Sequence, residues 1–267
     1  MIVDGKQVAS RLKLKIQEKL KDGKERKVCF VIFGDDQGSR QFISMKRKFS
    51  ESLGIGAEVL EYHDNPTFPE VKKIIDNIVS KNFSGIVVQL PLPRGLIVRE
   101  VLNLIPPESD IDMLSEKSKE LYKEGLSKKI PPVARAVLEI LKFYNIGLNG
   151  KKILVVGKGR LVGEPVGNML KLKKIEFQNI EKETDKTEKI KLLKEADIII
   201  SGAGDSYFIK PEMIRQGVVI IDAGTSEQEG KIVGDADPRC AEKALLITPV
   251  PNGVGPVTMA SLFMNIE

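Results

Sequence analysis

Residues 151–165 read KKILVVGKGRLVGEP. Ile153 to Val156 form an unbroken apolar run, the pattern of a parallel strand covered on both faces. Gly157, Gly159 and Gly163 follow at once and open a helical pattern over 162–172. Such a turn aims free main-chain N–H groups and the positive end of a helix at one point, which suits a pyrophosphate. The spacing is GxGxxxG rather than GxGxxG, and a glycine turn that only packs a helix tightly on its strand reads the same way. The surrounding sequence has to decide.

Downstream, IEFQN, a helix over 186–194, ADIIISG and VVIIDAG continue the alternation of strand and helix expected of a small Rossmann-type domain. IIISGAGDSYF and IIDAGTSEQ put Gly202, Gly204, Gly224 and Thr225 at the carboxyl ends of later strands, where open α/β sheets bind ligands. With Gly157, Lys158, Gly159, Arg160, Val162 and Gly163 they are the candidate dinucleotide site. Glu181 or Glu183, near the end of the second strand, would hold the ribose hydroxyls of NAD. Lys158 and Arg160 would instead meet the 2′-phosphate of NADP, and the residues leave both cofactors open.

Upstream, KVCFVIFG, a helix over 39–53, AEVLEY, a helix over 68–80 and GIVVQL form a second βα series, again predicting a parallel sheet. Val8, Leu12, Ile16 and Leu20 recur every four residues and predict an amphipathic opening helix. The pattern loosens over 105–131, which reads as the crossing between two lobes, before a helix over 132–145. ALLITPV and PVTMASLFMNIE read as a return to the first lobe. The expected architecture is therefore two-domain α/β, with a parallel-sheet domain over 1–120 completed by 252–267 and a dinucleotide-binding domain over 121–251.

Among 267 residues, 42% are hydrophobic and 30% charged, a globular balance whose apolar runs are too short to cross a bilayer. MIVDGKQVASRLKLKIQEKL has no signal-peptide pattern, so the cytoplasm is the expected location. Cys29 and Cys240 form no CxxC and no metal spacing, so no metal is expected. The net charge of +5 arises from basic residues interleaved with acidic ones, which argues against nucleic acid and suits collection of polyanionic small molecules.

The first series has no GxSxG elbow, and its His63 lies in a polar turn. Gln89 instead ends an apolar strand and is followed by Pro91 and Pro93 in QLPLP. In SRQFISMKRKF, Phe42 and Lys46 are four residues apart and share a helix face. A lysine desolvated beside an aromatic ring becomes a usable proton donor and acceptor near neutral pH.

QLPLP, DID at 110–112, GKGRLVGEP, ADIIISGAG and TPVPNGVGPVT, in this order, closely resemble bifunctional methylenetetrahydrofolate dehydrogenase/methenyltetrahydrofolate cyclohydrolase. The resemblance implies a catalytic domain, an inserted Rossmann domain, a folate cleft between the lobes, a homodimer, NADP as the usual cofactor and tetrahydrofolate one-carbon derivatives as substrates. It makes Lys46 the central catalytic lysine, Gln89 its hydrogen-bonding partner and Asp112 the carboxylate that anchors the pterin. Phe42, Pro91, Pro251, Gly253, Gly255 and Pro256 become substrate contacts. Phe42 replaces the family's tyrosine, Met113 and Asn252 replace glycines, PPVA at 131–134 replaces PCTP, and Lys158-Gly159 replaces Arg-Ser. Loss of the phenolic hydroxyl bears on the proton chemistry of the cyclohydrolase more than on hydride transfer. A dehydrogenase without cyclohydrolase is therefore one alternative, and a dinucleotide-binding regulator without catalysis another.

Overall fold

The computed structural model describes residues 1–267 and divides them into two compact units. One comprises Lys13–Pro132 with Leu262–Glu267, the other Met1–Leu12 with Val133–Ser261. The junctions between these units fall inside the first and last helices and at 132/133.

The chain opens with α1 (Gly5–Lys19), whose stripe Val8, Leu12 and Ile16 is buried. Then come β1 (Lys27–Phe33), α2 (Gln37–Ser52), β2 (Gly56–Tyr62), α3 (Phe68–Val79) and β3 (Gly85–Val88). The strands form a parallel sheet in the order β2-β1-β3, with the apolar β1 at its centre. Asp36 starts α2 by accepting the Ser39 N–H at 2.6 Å, and Thr67 with Glu70 forms a capping box on α3. Val71, Ile75 and Ile78 of α3 close over Cys29, Val31 and Phe33, each aliphatic side chain contributing about 1.5–3 kcal/mol of burial.

The stretch expected to be a loose crossing is ordered. α4 (Val98–Leu102) precedes it and α5 (Glu116–Lys123) lies within it, the latter capped by the Ser115 hydroxyl. Ile105, Ile111 and Met113 are buried, and the Ile86 N–H at β3 donates to the Ser109 carbonyl at 2.8 Å. Proline and charge at 106–110 masked this segment, because its anchors are main-chain bonds and a few isolated apolar side chains.

The second unit contains α6 (Pro132–Phe143), β4 (Ile153–Val156), α7 (Gly163–Leu172), β5 (Gln178–Ile180), α8 (Lys186–Glu195), β6 (Ile198–Ser201), β7 (Val219–Asp222), β8 (Ser226–Gln228), β9 (Lys231–Val233), β10 (Leu246–Ile247) and α9 (Val254–Phe263). Its five-stranded sheet runs β10-β7-β6-β4-β5, all pairs parallel. ALLITPV therefore does not return to the first series: Leu246 and Ile247 pair with Val219 and Ile220. Met1–Leu12 joins this unit because the Val3 N–H donates to Ile247 at 2.9 Å and the Ile247 N–H to Met1 at 3.0 Å. The hairpin β8–β9 escaped the sequence reading, since its strands are short and mostly exposed; Glu229 and Gly230 both take positive φ at its turn.

In the first unit the C-terminal residues pack on the helix that carries Lys46: the Phe263 ring lies 5.3 Å from that of Phe49, and Phe263 is fully buried. Phe263→Ala is expected to cost about 3–5 kcal/mol of stability through lost burial and the cavity left behind. A lower urea midpoint checks this; an unchanged midpoint would contradict the packing.

Candidate active site

Helix α2 sets Phe42 and Lys46 one turn apart. Lys46 Nζ donates to Gln89 Oε1 at 3.0 Å. Gln89 is fixed at the end of β3, where its N–H donates to the Val31 carbonyl at 2.9 Å and its Nε2 to the Leu90 carbonyl at 2.7 Å. Those bonds turn the amide oxygen towards the lysine. Pro91 follows across a cis peptide. Lys46 is partly covered along its length, but burial around its charged end pushes its pKa below that of an ordinary lysine, against the opposing charge of Asp112. Burial likewise raises the Asp112 carboxyl, opposed by Lys46 and reinforced by Asp110. Desolvation thus acts in opposite directions on the two groups, lowering the lysine and raising the carboxyl. Phe42 is 48% exposed, leaving a flat apolar face open one turn from Lys46.

The two acids of DID divide their work. Asp110 is buried and accepts the Ser115 N–H at 2.9 Å and the Ser115 hydroxyl at 2.7 Å, which folds the loop. Asp112 is left to face Lys46. The loop is also held by Asn265, absent from the candidates read in the sequence. Its Nδ2 donates to the Ile111 and Ile130 carbonyls, both at 2.9 Å, and its Oδ1 accepts the Ile130 N–H at 3.1 Å. The available signal was a lone amide in the apolar ending FMNIE. Met113, next to Asp112, takes φ +58°, a conformation that glycine adopts without strain, and buries its side chain in return. Asn252, the other residue that replaces a family glycine, takes φ +78°.

In the second unit, Gly157 directly follows β4 at φ +89°. A β-carbon on Gly163 would lie 2.0 Å from the Gly157 carbonyl oxygen, so only glycine lets α7 start so close to the strand. Val162 packs flat on Gly202, where a β-carbon would come within 2.3 Å of it. A β-carbon on Gly159 would meet nothing nearer than 4.0 Å, so the turn has open space on its outer side. A helix start and that open space fit a dinucleotide pyrophosphate.

Gly202 and Gly204 lie on the segment after β6, and Gly224 and the exposed Thr225 lie after β7. Two buried acids that the sequence reading overlooked hold these ends. Asp235 accepts the Ser201 hydroxyl at 2.6 Å and the N–H groups of Ala203 and Asp205 at 2.7 and 2.9 Å. Asp222 accepts the N–H groups of Gly224 and Ala236 at 2.9 and 2.8 Å. Burial carries Asp222 up to about 6, opposed by those N–H groups and helped by Asp235. Lys158 is ion-paired with Glu181, and Arg160 lies on the same turn. Farther along this unit Pro251 follows a cis peptide and is exposed with Gly255, while Gly253 is buried and Pro256 lies in the first turn of α9.

His63 is exposed and meets Asp35 at 2.9 Å and Arg40 at 3.1 Å. Both thiols are buried, with pKa values pushed up to about 12 by desolvation. No group of three or more His, Cys, Asp and Glu side chains is arranged to hold a metal, and no helix is long and apolar enough to cross a membrane.

A glycine turn on a five-stranded parallel sheet, with a desolvated lysine–glutamine–aspartate group at a second parallel sheet, defines an α/β enzyme of the dinucleotide-binding class. Comparison with known proteins carries this further. The family model for the catalytic domain of tetrahydrofolate dehydrogenase/cyclohydrolase matches residues 3–112, and that for its NAD(P)-binding domain matches residues 131–267. The bifunctional protein FolD of Clostridium perfringens is 35% identical over 271 residues, covering 99% of this chain and 97% of its own. The crystal structure of bifunctional FolD from Campylobacter jejuni superposes with a TM-score of 0.93 at 31% identity, covering 100% and 96% of the two chains. The Trypanosoma brucei FolD structure, in complex with NADP and an inhibitor, gives 0.91 at 28%, covering 100% and 95%. The chain belongs to the tetrahydrofolate dehydrogenase/cyclohydrolase family.

Asn265→Ala would strand the Ile111 and Ile130 main-chain groups, at a cost of about 1–3 kcal/mol, and is expected to lower the thermal midpoint. For Asp222 the native carboxyl titrates near 6, above its ordinary 3.8, so between these values the folded protein binds more protons than the unfolded chain. Its contribution to stability therefore falls as pH rises through that window and levels off above it. The difference in unfolding free energy between wild type and Asp222→Asn should follow this curve, and a difference independent of pH would refute the assignment.

Proposed function

We propose that the protein oxidises 5,10-methylenetetrahydrofolate with NADP⁺ and hydrolyses the methenyl product to 10-formyltetrahydrofolate. The observation that carries this reading is the Lys46–Gln89 bond of 3.0 Å in a desolvated site shared with Asp112, in a chain whose two halves both match the family. When bound, the nicotinamide accepts a hydride from the methylene carbon. The chain's own part in that step is orientation. The turn at Gly157, Gly159 and Gly163 takes the pyrophosphate on main-chain N–H groups, and Gly202, Gly204, Gly224 and Thr225 line the neighbouring strand ends. Phe42 stacks on the substrate's aromatic ring and Asp112 anchors the pterin. Pro91, Pro251, Gly253, Gly255 and Pro256 are assigned to substrate contact.

In the hydrolytic step Lys46 in its neutral form takes a proton from the water that adds to the methenyl carbon. Gln89 holds the amine in place. The carbinol then loses its remaining hydroxyl proton to solvent, a carbonyl forms, one carbon–nitrogen bond breaks, and the departing nitrogen takes the proton from Lys46. Phe42 supplies no hydroxyl to this sequence, so Lys46 carries the proton alone. The protein acts as a cytoplasmic homodimer in this reading.

An absorbance assay with methylenetetrahydrofolate and NADP⁺, following reduced cofactor and methenyl product separately, tests the proposal. The expected result is cofactor reduction with methenyl that decays faster than its spontaneous hydrolysis, the excess decay falling about 10²-fold or more in Lys46→Met. Methenyl that accumulates in the wild type would leave a dehydrogenase alone, and no reduction would overturn the reading.

A further inference from the structure

Resting on the assignment of the glycine turn to a dinucleotide, we infer that Glu181 sets the choice of cofactor and lets this enzyme take NAD⁺ alongside NADP⁺. Glu181 is the first residue after β5, the strand beside β4 in the sheet. The Gly157 N–H donates to the Ile180 carbonyl at 2.8 Å, which brings Glu181 next to the turn that would receive the pyrophosphate. Its own N–H donates to the Thr184 hydroxyl at 2.9 Å, and the Thr184 N–H donates to its carbonyl at 3.2 Å, so the segment is fixed. In an open parallel sheet a carboxylate at this place accepts the ribose hydroxyls of NAD, whereas a cation nearby receives the 2′-phosphate of NADP.

Both kinds of group are present here, and they are bound to each other. Lys158, on the glycine turn, is ion-paired with Glu181, with the two side chains 55% and 42% exposed. A 2′-hydroxyl can donate to the Glu181 carboxylate without disturbing the pair. A 2′-phosphate gains Lys158 only by drawing it from Glu181, and then sets its negative charge beside that carboxylate. Arg160, also on the turn, is a second cation to offset this repulsion. The balance admits both cofactors with little discrimination. Removing the charge of Glu181 releases Lys158 to the phosphate.

The test is calorimetric titration of NAD⁺ and NADP⁺ into the full-length protein without folate, so that binding is read apart from turnover. Wild-type dissociation constants within about tenfold of each other are expected, because an exposed pair is worth less than that. Glu181→Gln keeps an acceptor for the ribose and should move the ratio of the constants about tenfold towards NADP⁺. Adding Lys158→Gln to that variant should take the gain away. A wild type that already prefers NADP⁺ by a hundredfold, or a ratio that Glu181→Gln leaves unchanged, would overturn the proposal while leaving the cofactor site intact. If neither dinucleotide binds the wild type, the cofactor reading fails and this proposal with it.

Discussion

Parallel pairing of strands covered on both faces is the constraint from which the arrangement of this protein follows. Every residue of β3, β4 and β6 is buried, so their interiors have no room for polar chemistry. Polar function is displaced to the points where the strands stop. Gln89 stands directly after β3, Gly157 after β4, Glu181 after β5 and Gly202 after β6. Because all pairs in each sheet run the same way, these ends gather on one edge of their sheet, and the connecting helices start from that edge with their N-termini turned to it.

Loops at such an edge must be held, and the protein does so with buried acids. Asp110 folds the segment before Asp112, while Asp222 and Asp235 tie the ends of β6 and β7 through main-chain N–H groups. The same residue type then plays opposite parts within a few positions. Asp110 accepts hydrogen bonds from Ser115, whereas Asp112 is buried in electrostatic contact with Lys46. The difference is one of partners: the first carboxylate is satisfied by nearby hydrogen bonds, and the second is set against a desolvated amine.

The departures from the family pattern gain a physical meaning in the same terms. Met113 and Asn252 stand where glycine would accept positive φ freely. Asparagine tolerates that region because its short amide bonds locally, and Met113 is compensated by burial. Phe42 keeps the ring and loses the hydroxyl, so the aromatic surface survives, 48% exposed one turn from Lys46.

Much of this was legible in the amino-acid order alone. The apolar runs at 153–156 and 198–201 and the glycines that follow them specify buried parallel strands and a tight turn, because those properties belong to neighbouring residues. The family was legible in short motifs such as QLPLP for the same reason. Tertiary structure alone decided what depends on distant partners. Leu246 and Ile247 could have joined either sheet, and it is pairing with Val219 and Ile220 that places them. Asn265 reaches Ile111 across 154 positions of sequence, and Lys158 meets Glu181 only because β4 and β5 lie side by side. Local chemistry writes strands, turns and caps into a sequence, but the energy of a buried amide or an ion pair is realised only when packing brings its partner within reach.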